Sequence, residues 1–377
     1  MIDSIKYLQE GVVFLKTLLR EKSRWRARTI VTDERNLVYY GYPSLSTSCD
    51  VSSGGVVKTQ DLITVFPNTT KNPNILYLIS SALPPYAPRM AQIARKAGAK
   101  VVLNQNGVAY PAWHGAGWER TNRFMSEVLG QADYVFYQSE FCKRGADQFL
   151  QKYDGKSEVL YNPVNTEYFF PPTSKPAMDP VKLLIAGSHT HFYRVKCAVD
   201  TLKHLRDDGI NTKLEIAGRY CWNSDLGSAT TELLHYITHK SLTEHVILSG
   251  PYTQEEGRDV FRRSHVLVHT KYNDPCPRLV VEGMASGLPV VYSASGGTPE
   301  LVGSEAGVGI PAPVDLERDH PPAPDQLAEG VKLILRSYEH YSRAARNRAV
   351  DNFDSQPWLS RHGQIFSQLT KGTHNEE

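Results

Sequence analysis

HVLVHTKYNDPCPRLVVEGMASGLPVVYSASGGTPELVG, residues His265–Gly303, is the stretch whose reading decides the fold. Val266–His269 is an apolar run of strand character, and Asn273, Asp274 and Pro275 in the loop Thr270–Cys276 continue neither strand nor helix. A helix is expected to start near Pro277, with Leu279, Val280 and Met284 on its apolar face and Gly287 as the left-handed residue that ends it. A second strand, Pro289–Tyr292, follows, and the loop Ser293–Gly297 opens a second helix with Thr298 as N-cap and Pro299 as first helical residue. Strand, helix, strand, helix means parallel strands. Both loops then fall at the carboxyl ends of a sheet, where open α/β sheets bind ligands.

Gly296 and Gly297 allow a ligand close to the backbone, and the open amides near Thr298–Glu300 favour an anion such as a pyrophosphate. Asp274 and Glu282, with seven residues between them, can face one crevice, where a carboxylate accepts hydrogen bonds from neighbouring ring hydroxyls. Each part also has a plain alternative. Gly-Gly can be only a turn, and Arg278 with Glu282 can be only a surface i,i+4 ion pair worth a few tenths of a kcal/mol.

Taken together, the stretch resembles the donor-binding half of retaining, GT-B-fold glycosyltransferases of the glycogen-synthase-like and sucrose-synthase-like group, glycosyltransferase family 4 or "glycosyl transferases group 1" type. That group commonly reads EGFGLVLLEAMACGTPVV where this chain has DPCPRLVVEGMASGLPVV. The resemblance implies that Glu282 binds the nucleotide ribose and that Asp274, shorter than the usual Glu, sits at the transferred sugar. It also implies that the amides near Gly297 and Thr298 hold the pyrophosphate and that Cys276, Pro277 and Arg278 border the donor. Arg278 stands where an apolar or amide residue is more usual.

The rest of the chain fits a two-domain α/β protein. Its 377 residues exceed the roughly 250–300 at which single cores stop growing. A formal net charge of +2 gives no support for a nucleic-acid binder. Cys49, Cys142, Cys197, Cys221 and Cys276 form no framework, which suits a reducing cytoplasm, and no signal peptide or long apolar span is evident. Residues 1 to about 25 read as a basic helix with Ile5, Leu8, Val12, Leu15 and Leu19 on one face. Such a helix can lie on an anionic membrane surface or pack on the protein's own sheet.

Gly54 and Gly55 precede a helical pattern at Val56–Val65, and in the resembled family such a loop meets the donor phosphate or the acceptor. Strands at Ile75–Ser80, Lys100–Asn104, Tyr134–Gln138 and Glu158–Tyr161 alternate with helices at Pro88–Gly98, Arg120–Leu129 and Glu140–Leu150. Asn106 and His114 follow the second of these strands, where family members often carry a His near the sugar, and are candidates for sugar or acceptor contact. After a Pro-, Ser- and Thr-rich linker, strand Val181–Ala186 leads through the loop Gly187–Lys196 to a helix Cys197–Asp207. The resemblance places an Arg and a Lys in this loop to neutralise the departing diphosphate. Ser188 takes the place of the early Arg, so Arg194 and Lys196 are carried over. Gly250 and Tyr252 resemble the loop beside the nucleotide base.

The expected domains are 1–172 for the acceptor, with an N-terminal helical extension, 173–356 for the nucleotide-sugar, and 357–377 as a helix crossing back plus a polar tail. The expected function is a retaining glycosyltransferase that moves a sugar from a nucleoside-diphosphate donor to a hydroxyl on a saccharide or lipid-linked acceptor, in polysaccharide, lipopolysaccharide or glycolipid synthesis. It needs no cofactor and no metal, since His189 and His191 lack a third ligand. A sugar-nucleotide epimerase of the same fold and a non-catalytic nucleotide-sugar-binding module are the alternatives.

Overall fold

The computed structural model describes residues 16–25, 35–45, 54–174 and 176–371. Its two large parallel sheets have their carboxyl edges turned toward each other, and a two-stranded parallel ribbon pairs Ser188–His189 with Arg219–Tyr220. In the first, strands Val38–Tyr39, Ile75–Ile79, Lys100–Gln105, Tyr134–Tyr137 and Ser157–Val159 lie side by side in chain order. In the second the order is Val246–Gly250, Thr212–Ala217, Val181–Ile185, Val266–His269, Val290–Ala294, Gly307–Pro311. All four residues of Val266–His269 and all five of Ile75–Ile79 are buried. Covered on both faces, such strands read as continuous apolar runs rather than as alternating ones.

Several boundaries differ from those expected. Pro277 is the N-cap of the helix Arg278–Ala285, which ends before Gly287 at φ +81°. Thr298 is not a cap: Gly297 holds that position, Thr298 and Pro299 are the first two helical residues, and the Thr298 hydroxyl is buried without a partner. Gly54 and Gly55 begin the helix Gly54–Ile63 rather than preceding it. The helix expected at Cys197 starts at Phe192. Helix Gln254–Arg262 was not anticipated, nor was strand Gly307–Pro311, although Thr253 and Glu256 form a complete capping box at the helix start.

Residues 16–24 are helical, and Glu21, Arg24 and Trp25 are buried while Leu19 is 59% exposed. Arg24 lies 4.0 Å over the Tyr39 ring and donates to the Thr70 carbonyl. The described part of this segment thus packs through Arg24 and Trp25, not through Leu19. Ile5, Leu8, Val12 and Leu15 fall outside the described residues. No helix among the described residues is long and apolar enough to cross a membrane.

The last helix, Ser355–Lys371, returns to the first sheet, where Trp358, Leu359, Ile365 and Phe366 join Val38, Tyr77 and Phe136 in one core cluster. His362 sits among these rings, bonded to the Tyr77 hydroxyl at 3.0 Å, and burial pulls its pKa down to about 3, so it is neutral. Phe366 meets Phe66 edge-on at 5.1 Å and is fully buried. Phe366→Ala should therefore destabilise the chain by about 3–5 kcal/mol in urea denaturation; a loss under about 1 kcal/mol would mean that this helix is not part of the cooperative core.

Candidate active site at the domain seam

Three successive carbonyls of the loop after Val266–His269 organise the seam. The Asp274 carbonyl accepts from the Gly297 amide at 2.8 Å, that of Pro275 from the Ser139 hydroxyl at 2.7 Å, and that of Cys276 from the Asn162 amide at 2.7 Å. Ser139 and Asn162 belong to the first domain. Gly296, at φ +67°, and Gly297 press so closely on this loop that a Cβ on Gly297 would stand 2.0 Å from the Pro275 carbonyl oxygen. The two glycines admit protein backbone here, and the Gly297 amide is not open to an anion. Glu300 crosses in the other direction. Its carboxylate accepts from the amides of Glu140 and Phe141 at 2.7 and 2.9 Å, at the start of helix Glu140–Phe149.

Asp274 is buried beside one ammonium and an imidazole whose pKa burial lowers. Its carboxylate lies 3.2 Å from His269 Nε2 and 3.4 Å from Lys271 Nζ. Burial alone would raise its pKa, but Lys271, His269 and Arg194 outweigh burial and hold it well below the usual carboxylate range. Arg194, 2% exposed, donates to the Ser188 carbonyl, and Arg219 reaches the Ser188 hydroxyl at 3.0 Å. Two guanidinium groups thus converge on the place from which an arginine was missed in the sequence. Glu282 accepts one hydrogen bond from Arg278 Nε at 2.9 Å, and burial raises its pKa against the pull of Arg278. Tyr252 is close enough that the Glu282 charge adds to burial in raising its hydroxyl pKa.

Residues 169–350 match the family model "Glycosyl transferases group 1". Residues 169–350 belong to that family. The chain is also 27% identical over 209 residues to a D-inositol 3-phosphate glycosyltransferase of Streptomyces bingchenggensis, covering 51% of this chain and 45% of that protein. It is 20% identical over 223 residues to the phosphatidylinositol N-acetylglucosaminyltransferase gpi3 subunit of Schizosaccharomyces pombe, covering 59% and 45%. These matches span less than half the length of either relative. Among solved structures, Anabaena Alr3699/HepE, crystallised with UDP and glucose, superposes with a TM-score of 0.63 at 16% identity over 78% of each chain. Sucrose-phosphate synthase of Thermosynechococcus elongatus gives 0.63 at 17% identity over 84% and 77%. The fold is GT-B.

Within the group 1 domain the structure brings Asp274, Arg194, Glu282, Arg278, Tyr252 and the Gly250 turn to one edge. Lys196 is elsewhere. Its Nζ pairs with Asp200 at 3.2 Å and lies over the Tyr236 ring, half exposed. His114 is also outside the crevice, exposed and bonded to Thr121 at 2.9 Å. Its neighbour Trp113 makes the crossing instead, with Lys271 Nζ 5.1 Å from its ring and the His191 ring tilted against it at 6.1 Å. Asn106 is at the seam but committed, since its carboxamide accepts from Lys58 Nζ at 2.8 Å and donates to Ser81. Cys276 and Pro277 line the seam through backbone, and burial pushes the Cys276 thiol up, so it is no nucleophile. Gly54 and Gly55 lie one turn before Lys58 on the same helix. Among the described residues no three His, Cys, Asp or Glu side chains are grouped as a metal ion requires.

Lys58, Asp61, His269, Lys271, Arg219 and Glu300 carried no motif that would have marked them. Lys58 is 1% exposed, its ammonium held by Asn104 and Asn106 at 2.7 and 2.8 Å, and burial lowers its pKa from 10.5 to about 7. Between those values the unfolded chain binds a proton that the folded chain does not, so Lys58 makes stability rise with pH above 7. Compared with Lys58→Met, the native chain should gain in urea midpoint between about pH 6 and about pH 9. Parallel pH profiles for the two would show that the ammonium is not buried as described.

Proposed function

We propose that the chain is a retaining glycosyltransferase that moves a sugar from a nucleoside-diphosphate donor to an acceptor hydroxyl. The observation that carries this reading is the clustering of ionised Asp274, Glu282 and the Arg194–Arg219 pair on the carboxyl edge of the group 1 domain, facing the first domain. Each group has a task its chemistry suits. Glu282 accepts from the ribose hydroxyls, and Arg194 and Arg219 hold the diphosphate as charge builds on it. Asp274, locked in its ionised form by its neighbours, faces the transferred sugar. In displacement on one face of the sugar, the bond from the sugar to the diphosphate breaks as the acceptor oxygen bonds, and the departing diphosphate oxygen takes the acceptor's proton, so no protein general base is needed. Closure of the seam over the reactants positions them and excludes water.

A cavity of about 580 Å³ opens between the domains beside this edge, with Tyr110, Phe141 and Phe149 on one side and Gly296, Glu300 and Leu316 on the other. It gives a saccharide or lipid-linked acceptor a place to approach. Anabaena HepE holds UDP and glucose in the same fold, which makes UDP the first nucleotide to try. The reading includes a cytoplasmic enzyme of polysaccharide, lipopolysaccharide or glycolipid synthesis, independent of metal and cofactor, whose basic N-terminal segment is open to either of two roles, contact with a membrane surface or packing on the protein's own sheet.

Thermal shifts with UDP, GDP and ADP test the site directly, since a ligand at 100 times its Kd adds about 2.7 kcal/mol. One nucleotide should stabilise the chain, and Glu282→Ala should weaken it about 10- to 100-fold by removing hydrogen bonds to a charged group. Arg219→Ala should weaken it about tenfold, whereas Lys196→Ala should change it less than about threefold because that side chain points away. No stabilisation by any of the three nucleotides would overturn the donor site. Binding without transfer to any saccharide acceptor would leave a nucleotide-sugar-binding module, and interconversion of free sugar nucleotides an epimerase.

A further inference from the structure

Arg278 ties Glu282 to the first domain. Its Nε donates to Glu282 Oε1 at 2.9 Å, while Nη1 and Nη2 face the two carboxylate oxygens of Asp61 at 2.5 and 3.4 Å. Asp61 lies on the helix Gly54–Ile63, across the seam, and the side chains of Arg278, Glu282 and Asp61 are only 10%, 13% and 21% exposed. The fork of the guanidinium is thus given to Asp61, and Glu282 receives a single N–H. Glu282 Oε2 accepts no hydrogen bond from the described residues.

Arginine and carboxylate frequently pair through the fork, with two parallel bonds that engage both oxygens, and Arg278 stands four residues before Glu282 on one helix. Without Asp61, Arg278 would close over Glu282 in that way and compete with any hydroxyl for its oxygens. Three buried charges, two of them negative, also leave one carboxylate short of a counter-charge, and that carboxylate is suited to strong hydrogen-bond donors.

We propose that Asp61 is a positioning residue for the donor: by drawing the Arg278 fork across the seam, it opens one oxygen of Glu282 to the nucleotide's hydroxyls. This rests on the reading of Glu282 as the ribose acceptor. It adds that ligand capture and domain closure are one event, because Asp61 reaches Arg278 only when the two domains meet. With the domains apart, Arg278 screens Glu282 and the site is weak.

The test is calorimetric titration, on the full chain, of whichever of UDP, GDP and ADP stabilises the native protein. Asp61→Asn keeps the volume and removes the charge, and its affinity should fall about tenfold. Arg278→Gln removes the competitor, so the double variant Asp61→Asn/Arg278→Gln should regain the affinity that Asp61→Asn loses, to within about threefold of the native chain. Rescue by the second substitution is a result that a purely structural ion pair does not give, since losing both partners would then bind no better than losing Asp61. Native affinity in Asp61→Asn, or a double variant as weak as the single one, would overturn the proposal. If Asp61→Asn does not fold, Arg278→Gln alone decides: a loss of tenfold or more there shows that Arg278 supports binding rather than opposing it. Failure of the wider reading is separate and visible, because then the native chain binds none of the three nucleotides, or Glu282→Ala leaves its binding unchanged.

Discussion

The carbonyls of Asp274, Pro275 and Cys276 are the point on which both domains depend. A loop between a parallel strand and its helix has no ladder for its polar backbone groups, and buried carbonyls need donors. Here the donors come from three places, the Gly297 amide, the Ser139 hydroxyl and the Asn162 amide, so the loop is complete only with the first domain in contact. Much else follows from this contact. Gly296 and Gly297 are required because the next loop must pass within van der Waals range of the same backbone. Asp274 is carried into a buried position where Lys271, His269 and Arg194 keep it ionised.

Charge is concentrated at this seam rather than spread along it. Lys58, Arg194, Arg278, Asp61, Asp274 and Glu282 are all removed from bulk water to a large degree, and each has an amide, carbonyl or opposite charge to hold it. Such groups are costly to bury and do little for stability compared with an apolar replacement. Their presence along the sheet edges, while the sheets themselves are lined by Val, Leu and Ile, is the electrostatic ground of the proposed donor site.

The fold was legible because its strands are buried on both faces, so Val266–His269, Val181–Ile185 and Ile75–Ile79 stand out as apolar runs bounded by Gly, Pro and Asn. Helix Gln254–Arg262 escaped because its sequence, QEEGRDVFR, is dominated by charge, and its capping box was the signal available. The two acids that motif spacing singled out, Asp274 and Glu282, both lie on the edge that meets the first domain. Lys58 and Asp61 lie on a helix of the other domain and are joined to the site only by tertiary contact.

Lys196 and Arg194 show how one boundary decides a role. In a loop, two cations two residues apart can reach the same ligand. In a helix they are rotated by about 200° from each other, so they must lie on opposite faces. Because the helix begins at Phe192, Arg194 turns inward to Ser188 and Lys196 outward to Asp200 and Tyr236. The second positive charge at Ser188 then comes from a neighbouring strand, since Arg219 begins the two-residue strand Arg219–Tyr220 that pairs with Ser188–His189. The Gly297 amide is already used by Asp274, and the helix behind it has only five residues, so side-chain cations rather than a helix terminus are what this edge offers to a diphosphate.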